Sequence, residues 1–477
     1  MKSYFAILDI GGSGVKLSCR SEDGMDSFTE REHLLPVIQE QSATQHPGVM
    51  FETLLRILRK CGERLGSTRR VRKIYISTLR QGFTLLRDDE ELTSLIYNSD
   101  STGSSSKDDV KDYGMHKIYE ETGHWYAPQL TLPKLVHLKR ASSDIFRGDV
   151  SLSFFHDWVI WKLTGHKISE ATLLASGQLW NIESGQVHFE LLDQFGLSRD
   201  LISPLRSFGS SVDYIDASVL ERIGPAWQDC LVSVGGGDSH FLHYGAVGRR
   251  NGAFVISAGS STPISVILDN SKNFQKAQPW ISPTFQKNRY FVEGNLGYPG
   301  SYYNWLMTKN GVSEIEASSI KSCTVNSIPV VLASCLSWSQ ESWERRPPFT
   351  IVNMKSYHSV SDIALSLIID YAIGIKSQIN SMNDSWPIEV VITGGGASSI
   401  LGKVLATLMN QEIRINKSSE VALDGVFLLE GEGSPETFET FEPADSNTQA
   451  NLIDFEILHR ENYSSVENLK ELIESVH

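Results

Sequence analysis

Three regions of the chain join short apolar segments to clusters of small residues, and the middle region contains two such clusters. This recurrence limits the folds available to the sequence. Asp9 precedes the first cluster and Asp238 follows the second. One glycine cluster after a strand indicates only a tight turn. The recurrence, with an Asp at two strand ends, predicts an α/β protein whose turns approach a phosphorylated ligand. In chain order the clusters are Gly11-Gly12-Ser13-Gly14, Gly235-Gly236-Gly237, Gly259-Ser260-Ser261 and Gly394-Gly395-Gly396.

Phosphoryl transfer gives a reason for Asp and glycine to recur together. A phosphoryl donor carries several negative charges, so its site needs close backbone approach, oriented N–H groups and a metal ion. Glycines allow that approach, and Ser13, Ser260 and Ser261 add hydroxyl donors. Asp9 is placed to hold Mg²⁺ directly or through water, and Asp238 is placed to accept the proton of an acceptor hydroxyl. Either Asp taken alone is explained equally well as a cap of a turn or helix.

Length and composition limit the remaining classes of protein. A chain of 477 residues is expected to form two or three domains. A formal charge of −14 argues against a nucleic-acid partner. No apolar run approaches the roughly 20 residues that span a bilayer, and residues 1–14 are typical of a first strand rather than a signal peptide. Five widely spaced cysteines predict a reducing, cytoplasmic setting without a disulfide framework or a zinc site.

Strand and helix patterns alternate along most of the chain. Apolar residues recur at helical spacing in residues 51–65, 363–379 and 402–409, and residues 152–163 form an amphipathic pattern. The polar residues 99–109 predict an exposed loop. After Gly431 the sequence becomes acidic and irregular, which predicts a surface tail ending in a short helix at 465–476. The acidic residues of that tail are Glu432, Glu436, Glu439 and Glu442.

The order and spacing of several motifs resemble those of the FGGY family of carbohydrate kinases, from Tyr4 to about Leu429. Each motif is weak alone, but together they are specific. The matching segments are Asp9-Ile10-Gly11-Gly12-Ser13 with Lys16, Asp157-Trp158 with Leu163-Thr164-Gly165, Glu170 with Ala175-Ser176, Gly236-Gly237-Asp238, Gly259-Ser260-Ser261, Glu344-Arg345 with Pro347, and Thr393-Gly394-Gly395-Gly396-Ala397.

The resemblance implies a two-lobed, ribonuclease H-like α/β fold of the actin and hexokinase type, with the active site in the interlobe cleft. Residues 1–248 would form the sugar-binding, catalytic lobe, residues 249–430 the nucleotide-binding lobe, and residues 431–477 the acidic tail. ATP and Mg²⁺ would be the cofactors, with Asp238 as general base and substrate contact, and with Asp9 and Asp238 at the metal. The implied ATP contacts are Gly11, Gly12, Ser13, Lys16, Gly259, Ser260, Ser261, Gly394, Gly395, Gly396 and Ala397.

Within the family, residues 77–100 are similar to the substrate-loop region of autoinducer-2 kinases. This similarity implies that Arg80, Gln81, Asn98 and Asp100 contact the substrate. Xylulokinases have a Met-His-Gly turn where this chain has Arg80-Gln81-Gly82. Three departures bear on the substrate and the nucleotide. Thr102 replaces a usual Arg, Gln81 replaces an acidic or His residue, and Ala422-Leu423-Asp424-Gly425 replaces a late Gly-Ala-Ala motif.

The favoured interpretation is an ATP-dependent kinase for a small sugar, ketose, polyol or autoinducer-2-like linear substrate. The alternative is a catalytically weak or inactive sugar or nucleotide sensor on the same fold. Retention of both Asp9 and Asp238 favours the kinase. An actin-type or chaperone-type ATPase is a more distant third, since those proteins lack the Leu-Thr-Gly helix and the Gly-Gly-Asp segment. Expected partners are the sugar and ATP, with no nucleic acid or membrane; the oligomeric state is open, a homodimer being one option.

Overall fold

The structure is a computed structural model that describes residues 2–269, 277–310, 315–325, 327–383, 388–431 and 437–476. The chain divides into two compact units. Unit 1 consists of Met1–Arg249, Ile281–Tyr290 and Glu420–Ser434, and unit 2 consists of Arg250–Trp280, Phe291–Ser419 and Pro435–His477.

The elements are numbered in chain order. The strands are β1 Lys2–Gly11, β2 Gly14–Ser21, β3 Ser27–His33, β4 Val37–Gln39, β5 Ser42–Gln45, β6 Arg69–Thr78, β7 Phe83–Arg87, β8 Glu90–Glu91, β9 Leu95–Ile96, β10 Val150–Phe154, β11 Trp180–Asn181, β12 Gln186–Val187, β13 Ser211–Tyr214, β14 Leu231–Gly237, β15 Phe254–Ser257, β16 Pro263–Leu268, β17 Trp280–Pro283, β18 Tyr290–Asn295, β19 Val330–Leu332, β20 Thr350–Val352, β21 Val390–Thr393, β22 Ile413–Asn416 and β23 Phe438–Phe441. The α-helices are α1 Pro47–Leu65, α2 Lys107–Tyr113, α3 Met115–Thr122, α4 Thr131–Ala141, α5 Phe155–Thr164, α6 Ala171–Ser176, α7 Phe189–Gln194, α8 Ala217–Ile223, α9 Asp238–Val247, α10 Pro299–Asn310, α11 Gln340–Arg345, α12 Val360–Met382, α13 Ser399–Met409, α14 Val421–Glu430 and α15 Ser446–Val476.

The main sheet of unit 1 has the strand order β13-β14-β6-β1-β2-β3. Strand β6 runs parallel to both β1 and β14, whereas β1 and β2 form an antiparallel hairpin. Strand β1 is nearly continuous in apolar residues because both of its faces are covered. Leu8 packs into the core that also contains Leu54 of α1, whereas Ile7 packs with Phe241 of α9 and Phe427 of α14.

A second sheet of unit 1, in the order β10-β7-β9-β5-β4, carries the segments that flank the predicted substrate contacts. The turn at residues 80–82 joins β6 of the main sheet to β7 of this sheet, and the turn at 98–100 follows β9. Phe83 pairs with Ile96, so the two turns leave the same pair of neighbouring strands. Sequence positions almost twenty residues apart are therefore brought together by strand pairing.

Unit 2 is built on a mixed sheet whose strands within the unit are ordered β18-β16-β15-β21-β22-β23. Strands β15, β21 and β22 are parallel, and β15 forms a hairpin with β16. Helix α12 starts with a capping box in which Ser359 and Asp362 exchange side-chain to backbone hydrogen bonds, so its start is marked in the sequence. The glycine clusters of this unit lie at the ends of β15 and β21.

The predicted surface tail is wrong for the residues that the structure describes. Strand β23 pairs with β22, and α15 runs from Ser446 to Val476, longer than the predicted helix at 465–476. Leu452 and Phe455 of α15 are fully buried, so an apolar face of the helix is covered even though its composition is polar. Glu432 and Glu436 lie outside the described residues.

Domain boundaries and the loop at residues 99–109 also differ from expectation. The predicted domain boundary at residue 248 lies next to Arg249, where the first segment of unit 1 ends. However, unit 1 also contains residues 281–290 and 420–434. The proposed loop contains a 3₁₀ helix, Thr102–Ser106, followed by α2. A Cβ atom at Gly103 would lie 2.5 Å from the Pro128 carbonyl oxygen, so this polar segment is packed closely.

In the described parts of the chain, no helix combines the length and apolar character needed to cross a membrane.

Candidate functional site

A row of polar side chains crosses the main sheet of unit 1. Strand register places Asp9 opposite Lys16 on one side and opposite Ser77 on the other. Lys16 Nζ lies 3.7 Å from Asp9 Oδ2, and Ser77 Oγ donates to Asp9 Oδ1 at 2.9 Å. Burial raises the pKa of Asp9, the Lys16 charge opposes this rise, and the negative charge of Asp238 adds to it. The two predicted metal-binding carboxylates are therefore electrostatically coupled.

Glu420 completes this row from a distant part of the sequence. Its carboxylate lies 3.3 Å from Lys16 Nζ and also accepts hydrogen bonds from Ser18 and Arg31. Lys16 thus lies between two carboxylates, Asp9 and Glu420. Sequence reasoning missed Glu420, because about 400 residues separate it from its partners and no motif marks it.

The turn between β1 and β2 leaves Gly12 and Ser13 exposed. A Cβ atom at Gly12 would meet no atom within 4 Å, and Gly12 does not have a positive φ. At Gly14, in contrast, a Cβ atom would collide with the backbone of Glu32. The fold therefore requires glycine at position 14 but leaves space for a side chain at position 12.

Asp238 is the first residue of α9 and keeps 37% of its side chain exposed. Its Oδ1 atom accepts a hydrogen bond from the Ser239 amide at 2.7 Å and lies 4.0 Å from Arg80 Nε. The stem of Arg80 passes over Gly237, where a Cβ atom would lie 2.9 Å from Arg80 Cγ. A partly exposed carboxylate beside a guanidinium is suited to bind a polar ligand.

Two buried imidazoles flank Arg80. Burial lowers the pKa of both His124 and His240 to about 3, and the Arg80 charge also acts to lower each. His240 Nε2 lies 3.2 Å from the carbonyl oxygen of Pro283. Both rings are therefore neutral at physiological pH, and Arg80 supplies the positive charge at this place.

The three glycines before Asp238 are needed for packing. A Cβ atom at Gly235 would overlap the backbone of Ile76, and one at Gly236 would lie 2.9 Å from Phe285 and 3.0 Å from Thr172 Oγ1. The Gly235 amide donates to His156 Nε2 at 3.0 Å, which leaves Nδ1 of His156 to donate to Asp157 Oδ1. This buried pair fixes the strand that delivers Asp238.

Glu170, which the sequence places at a family position, caps α6 beside this strand. Its Oε2 atom accepts hydrogen bonds from the Thr172 amide, the Thr172 hydroxyl and the Leu173 amide. Burial raises the pKa of Glu170, although these donors oppose the rise. A Cβ atom at Gly236 would lie 3.3 Å from Glu170 Oε2, so Glu170 packs against the strand that leads to Asp238.

The residues predicted to contact the sugar do not all have the same environment. Asn98 is partly exposed, but Gln81 is buried in a turn with φ +63°. Asp100 is 1% exposed and accepts hydrogen bonds from the amides of Ala43 and Thr102 and from the Thr102 hydroxyl. Direct contact between Asp100 and substrate does not fit this burial, because protein donors occupy both of its oxygens. Thr102, the residue in place of a usual Arg, is one of those donors.

The departure from the late Gly-Ala-Ala motif is accommodated within unit 1. A Cβ atom at Gly425 of α14 would lie 2.4 Å from the carbonyl oxygen of Phe241 in α9, so glycine is required where the helices cross. Asp424 pairs with Arg20 at 2.6 Å. The altered segment thus contains a glycine that the helix crossing requires and an acidic residue that forms an ion pair.

In unit 2 the structure brings the other two glycine segments together. The Gly396 amide donates to the Ala258 carbonyl oxygen at 2.8 Å, and Gly394 has φ +98° where a Cβ atom would crowd Ala258. The N-terminal turn of α10 closes against the same hairpin, because the Ser301 amide donates to the Ser260 carbonyl oxygen at 3.2 Å.

A cavity of about 640 Å³ opens beside these two segments. The predicted residues in its wall are Gly259, Ser260, Gly395, Gly396 and Ala397, whereas Ser261 and Gly394 are not in the wall. Sequence reasoning missed the contributions of three helices and of Ser398. The helix residues are Gly300, Tyr303, Asn304 and Met307 from α10, Ile368 and Tyr371 from α12, and Leu401 from α13. In the sequence, helical spacing shows only that such residues share one face of a helix. The volume lies within the range of small-molecule sites.

The chain is similar to known proteins both in sequence and in fold. Residues 4–245 match the N-terminal domain of the FGGY family of carbohydrate kinases. A putative sugar kinase, YoaC, of Bacillus subtilis (strain 168) is 21% identical over 464 residues, covering 93% of this chain and 92% of that protein. An autoinducer-2 kinase of Escherichia coli (strain SMS-3-5 / SECEC) is 25% identical over 165 residues, covering 34% of this chain and 31% of that protein.

The fold is shared with solved structures at low sequence identity. A ligand-bound xylulose kinase from Lactobacillus acidophilus superposes with a TM-score of 0.84 at 18% identity, covering 97% of this chain and 98% of that one. The ribonuclease H-like fold class predicted from the sequence is confirmed, while the position of the site between lobes stays a prediction. Because the N-terminal domain match spans more than half of the chain, the protein belongs to the FGGY family of carbohydrate kinases.

Proposed function

We propose that the protein transfers the γ-phosphoryl group of MgATP to a hydroxyl of a small sugar, ketose, polyol or autoinducer-2-like linear substrate. The observation that carries this proposal is the environment of Asp238. Its carboxylate is partly exposed, is held at the start of α9 by the Ser239 amide, and lies beside Arg80. A general base must be accessible to the acceptor and fixed in position, and Asp238 has both properties.

The nucleotide would occupy the cavity of unit 2. Its wall combines backbone of Gly259, Gly395 and Gly396 with larger side chains of α10 and α12, which suits a ligand with a flat base and a charged chain. Within unit 1, the exposed turn at Gly12 and Ser13 and the ammonium of Lys16 are suited to bind phosphate oxygens. Gly12 supports this role because the fold leaves room there for a side chain, yet the sequence has none.

Asp9 and Asp238 fit the requirements of Mg²⁺. That ion prefers oxygen ligands and is usually held by one or two carboxylates, with water and phosphate completing its shell. Among the described residues, no three His, Cys, Asp or Glu side chains converge as a metal-binding group. The bound ion would neutralise charge on the phosphates. Its charge would also oppose the rise in the pKa of Asp9 that burial and Asp238 produce.

The acceptor hydroxyl would lie against Asp238, oriented by Arg80. A carboxylate oxygen of Asp238 takes the proton while the acceptor oxygen bonds to the γ-phosphorus and ADP leaves with the electrons of the broken bond. Positioning and charge stabilisation supply most of the rate in such transfers. The neutral His124 and His240 leave Arg80 as the cationic contact for the substrate.

Asp238→Asn tests the assignment of the base. The amide is nearly isosteric and keeps an acceptor for the Ser239 amide, so the melting temperature should change little. Sugar-dependent ADP release should fall by about 10²–10⁴-fold, the usual loss when a general base is removed. Asp216→Asn is a matched control, because Asp216 also accepts from the backbone amide of a nearby serine at the start of a helix. Wild-type turnover in Asp238→Asn would refute the role of Asp238.

The acceptor class can be found with a coupled ADP-release screen over D-xylulose, glycerol and 4,5-dihydroxy-2,3-pentanedione. We expect at least one class to stimulate ADP release in the wild-type protein and none to do so in Asp238→Asn. If the wild-type protein binds ATP but releases no ADP with any acceptor, the alternative of a weak or inactive sensor would be favoured.

A further inference from the structure

Lys134 of α4 is a lysine whose side chain is fully buried in unit 1. Burying an ammonium group is costly unless hydrogen bonds or an opposite charge compensate it. Lys134 Nζ donates to the carbonyl oxygens of Gln81 at 2.8 Å and Tyr97 at 2.9 Å. The charge of Asp100 also stabilises the ammonium form, although burial is the larger influence and lowers the pKa of Lys134 to about 7.

The two carbonyl groups belong to the two turns that carry the predicted substrate contacts. Gln81 follows Arg80 directly, and Tyr97 precedes Asn98 directly. One buried side chain thus ties together two turns that also approach each other through the pairing of β7 and β9. A residue that served only the core would have no need of an ammonium group at this place, since an apolar side chain fills the same volume at lower cost.

The Gln81 turn is held in an unusual conformation. Gln81 has φ +63°, which costs free energy for a residue with a side chain. Its carbonyl oxygen receives Lys134 and also the Thr131 hydroxyl at 3.3 Å, both from α4. On the other side, Gly82 is closely packed, since a Cβ atom there would lie 2.9 Å from Phe155. These contacts set the direction in which the chain presents Arg80.

We propose that Lys134 is a positioning residue for the sugar site, holding the turns at residues 80–82 and 97–100 so that Arg80 is aimed at the acceptor beside Asp238. The proposal rests on the proposed function, in which Arg80 contacts the sugar. Lys134 itself is buried and touches neither substrate nor nucleotide; its effect passes through the Gln81 carbonyl to the neighbouring Arg80.

Lys134→Met is the direct test, because methionine retains much of the length and loses both hydrogen bonds. Lys139→Met is the matched control: Lys139 is on the same helix and also donates to backbone carbonyl groups, but those of Phe195 and Gly196. In the protein without ligands, hydrogen–deuterium exchange should rise at least severalfold in peptides covering residues 80–83 and 97–100 of Lys134→Met. It should be unchanged there in Lys139→Met. Equal protection of both turns in wild-type and Lys134→Met proteins would overturn the proposal.

The kinetic arm uses the most active acceptor among D-xylulose, glycerol and 4,5-dihydroxy-2,3-pentanedione. Lys134→Met should raise the KM for that acceptor by about tenfold or more, while the KM for ATP stays within twofold. Thr131→Val, which removes the weaker donor to Gln81, should raise the acceptor KM by a smaller factor and serves if Lys134→Met folds poorly. Equal losses for both substrates, or an unchanged acceptor KM in both variants, would contradict a positioning role.

Arg80→Ala separates failure of this proposal from failure of the proposed function. If Arg80→Ala raises the acceptor KM and Lys134→Met does not, the positioning role is wrong and the sugar contact stands. If neither changes the acceptor KM, the assignment of Arg80 is wrong. In the double variant Arg80→Ala/Lys134→Met we expect little further loss beyond Arg80→Ala, because both act on the same contact.

Discussion

Two glycine clusters of unit 1 look alike in the sequence but have different physical causes. In β14, each of Gly235, Gly236 and Gly237 faces atoms that a Cβ would crowd, including the backbone of Ile76 and the stem of Arg80. In the β1–β2 turn, Gly12 has open space and no positive φ. The fold requires the β14 cluster, whereas neither crowding nor a positive φ accounts for Gly12, which fits the close approach of a ligand that we propose.

This difference shows that a glycine is a sign of a bound ligand mainly where the fold itself does not require a glycine. Gly235 lies at a register shift between β14 and β6, which brings its α-carbon against the neighbouring strand. It would be needed whether or not the protein bound phosphate. Gly12 has no such constraint, so its position is the stronger sign of a ligand. Substitutions at these two positions should therefore affect different properties.

The largest effect is expected for Gly235→Ala. The added methyl would overlap the Ile76 backbone, which cannot move without disturbing the sheet. We expect a loss of about 4 kcal/mol or more in the free energy of unfolding, or no folded protein. Chemical denaturation of Gly235→Ala and of Gly12→Ala measures the contrast, because Gly12→Ala should unfold within about 0.5 kcal/mol of wild type. Similar stabilities for the two variants would remove the distinction between the clusters.

The next effect concerns nucleotide binding by Gly12→Val. The valine side chain meets no protein atom at its Cβ position, so the fold should be retained. It would occupy space that we assign to phosphate oxygens, and kcat/KM for ATP should fall by about 10²-fold, equivalent to about 2.7 kcal/mol. Sugar binding measured without nucleotide should be unchanged. Equal weakening of sugar and ATP would instead indicate that the turn contributes to the fold of the whole unit.

Sequence reasoning was most successful where local pattern and function coincide. The strands that end at Asp9 and Asp238 were anticipated because apolar runs meeting glycine and Asp are local signals, and the family motifs placed them in order. Those local signals indicate an α/β protein, and the resemblance carried by the ordered motifs implies the two-lobed fold class. The positions of Ser77 beside Asp9 and of Gly236 beside Ser77 depend on strand register, which an isolated sequence does not display.

The sequence could not reveal contacts made by distant segments or the state of a buried polar group. Glu420 reaches Lys16 from the other end of the chain. Asp100 resembled a substrate contact, but its carboxylate is buried among protein donors. The acidic composition after Gly431 predicted a tail, whereas Leu452 and Phe455 are buried there by tertiary contacts. These outcomes depend on which surfaces meet, and composition does not determine that.

The same distinction, between residues that stabilise the fold and residues that contact a ligand, applies to Asp100 and Arg80. Arg80→Ala should weaken sugar binding by about 1–3 kcal/mol, the usual cost of losing a hydrogen bond to a charged group, with ATP affinity unchanged. Asp100→Asn should instead lower the free energy of unfolding by about 1–3 kcal/mol, since it disturbs buried donors at Ala43 and Thr102. Calorimetric titration and chemical denaturation of both variants test this. Stable Asp100→Asn protein with weakened sugar binding would restore Asp100 as a substrate contact.

Lys134 should also produce a dependence of stability on pH. Burial lowers the pKa of Lys134 from 10.5 to about 7, with the Asp100 charge opposing the shift. Between these values the unfolded chain binds more protons than the folded protein, so the contribution of Lys134 to the free energy of unfolding should increase as pH rises. The increase approaches about 1.4 kcal/mol per pH unit above pH 7. Below pH 7 both states are protonated, and the contribution stops changing.

Lys134→Met isolates this contribution, because methionine does not titrate. The free energy of unfolding of wild type minus that of Lys134→Met should be smaller at pH 6.5 than at pH 8.5, as measured by urea denaturation. Lys139→Met should show no such trend relative to wild type. A pH-independent difference for Lys134→Met would mean that the amine keeps an ordinary pKa in the folded protein. In that case the folded protein would accommodate the charge of Lys134 at little cost in free energy. The burial of Lys134 would then not be a cost that the fold bears for the neighbouring site.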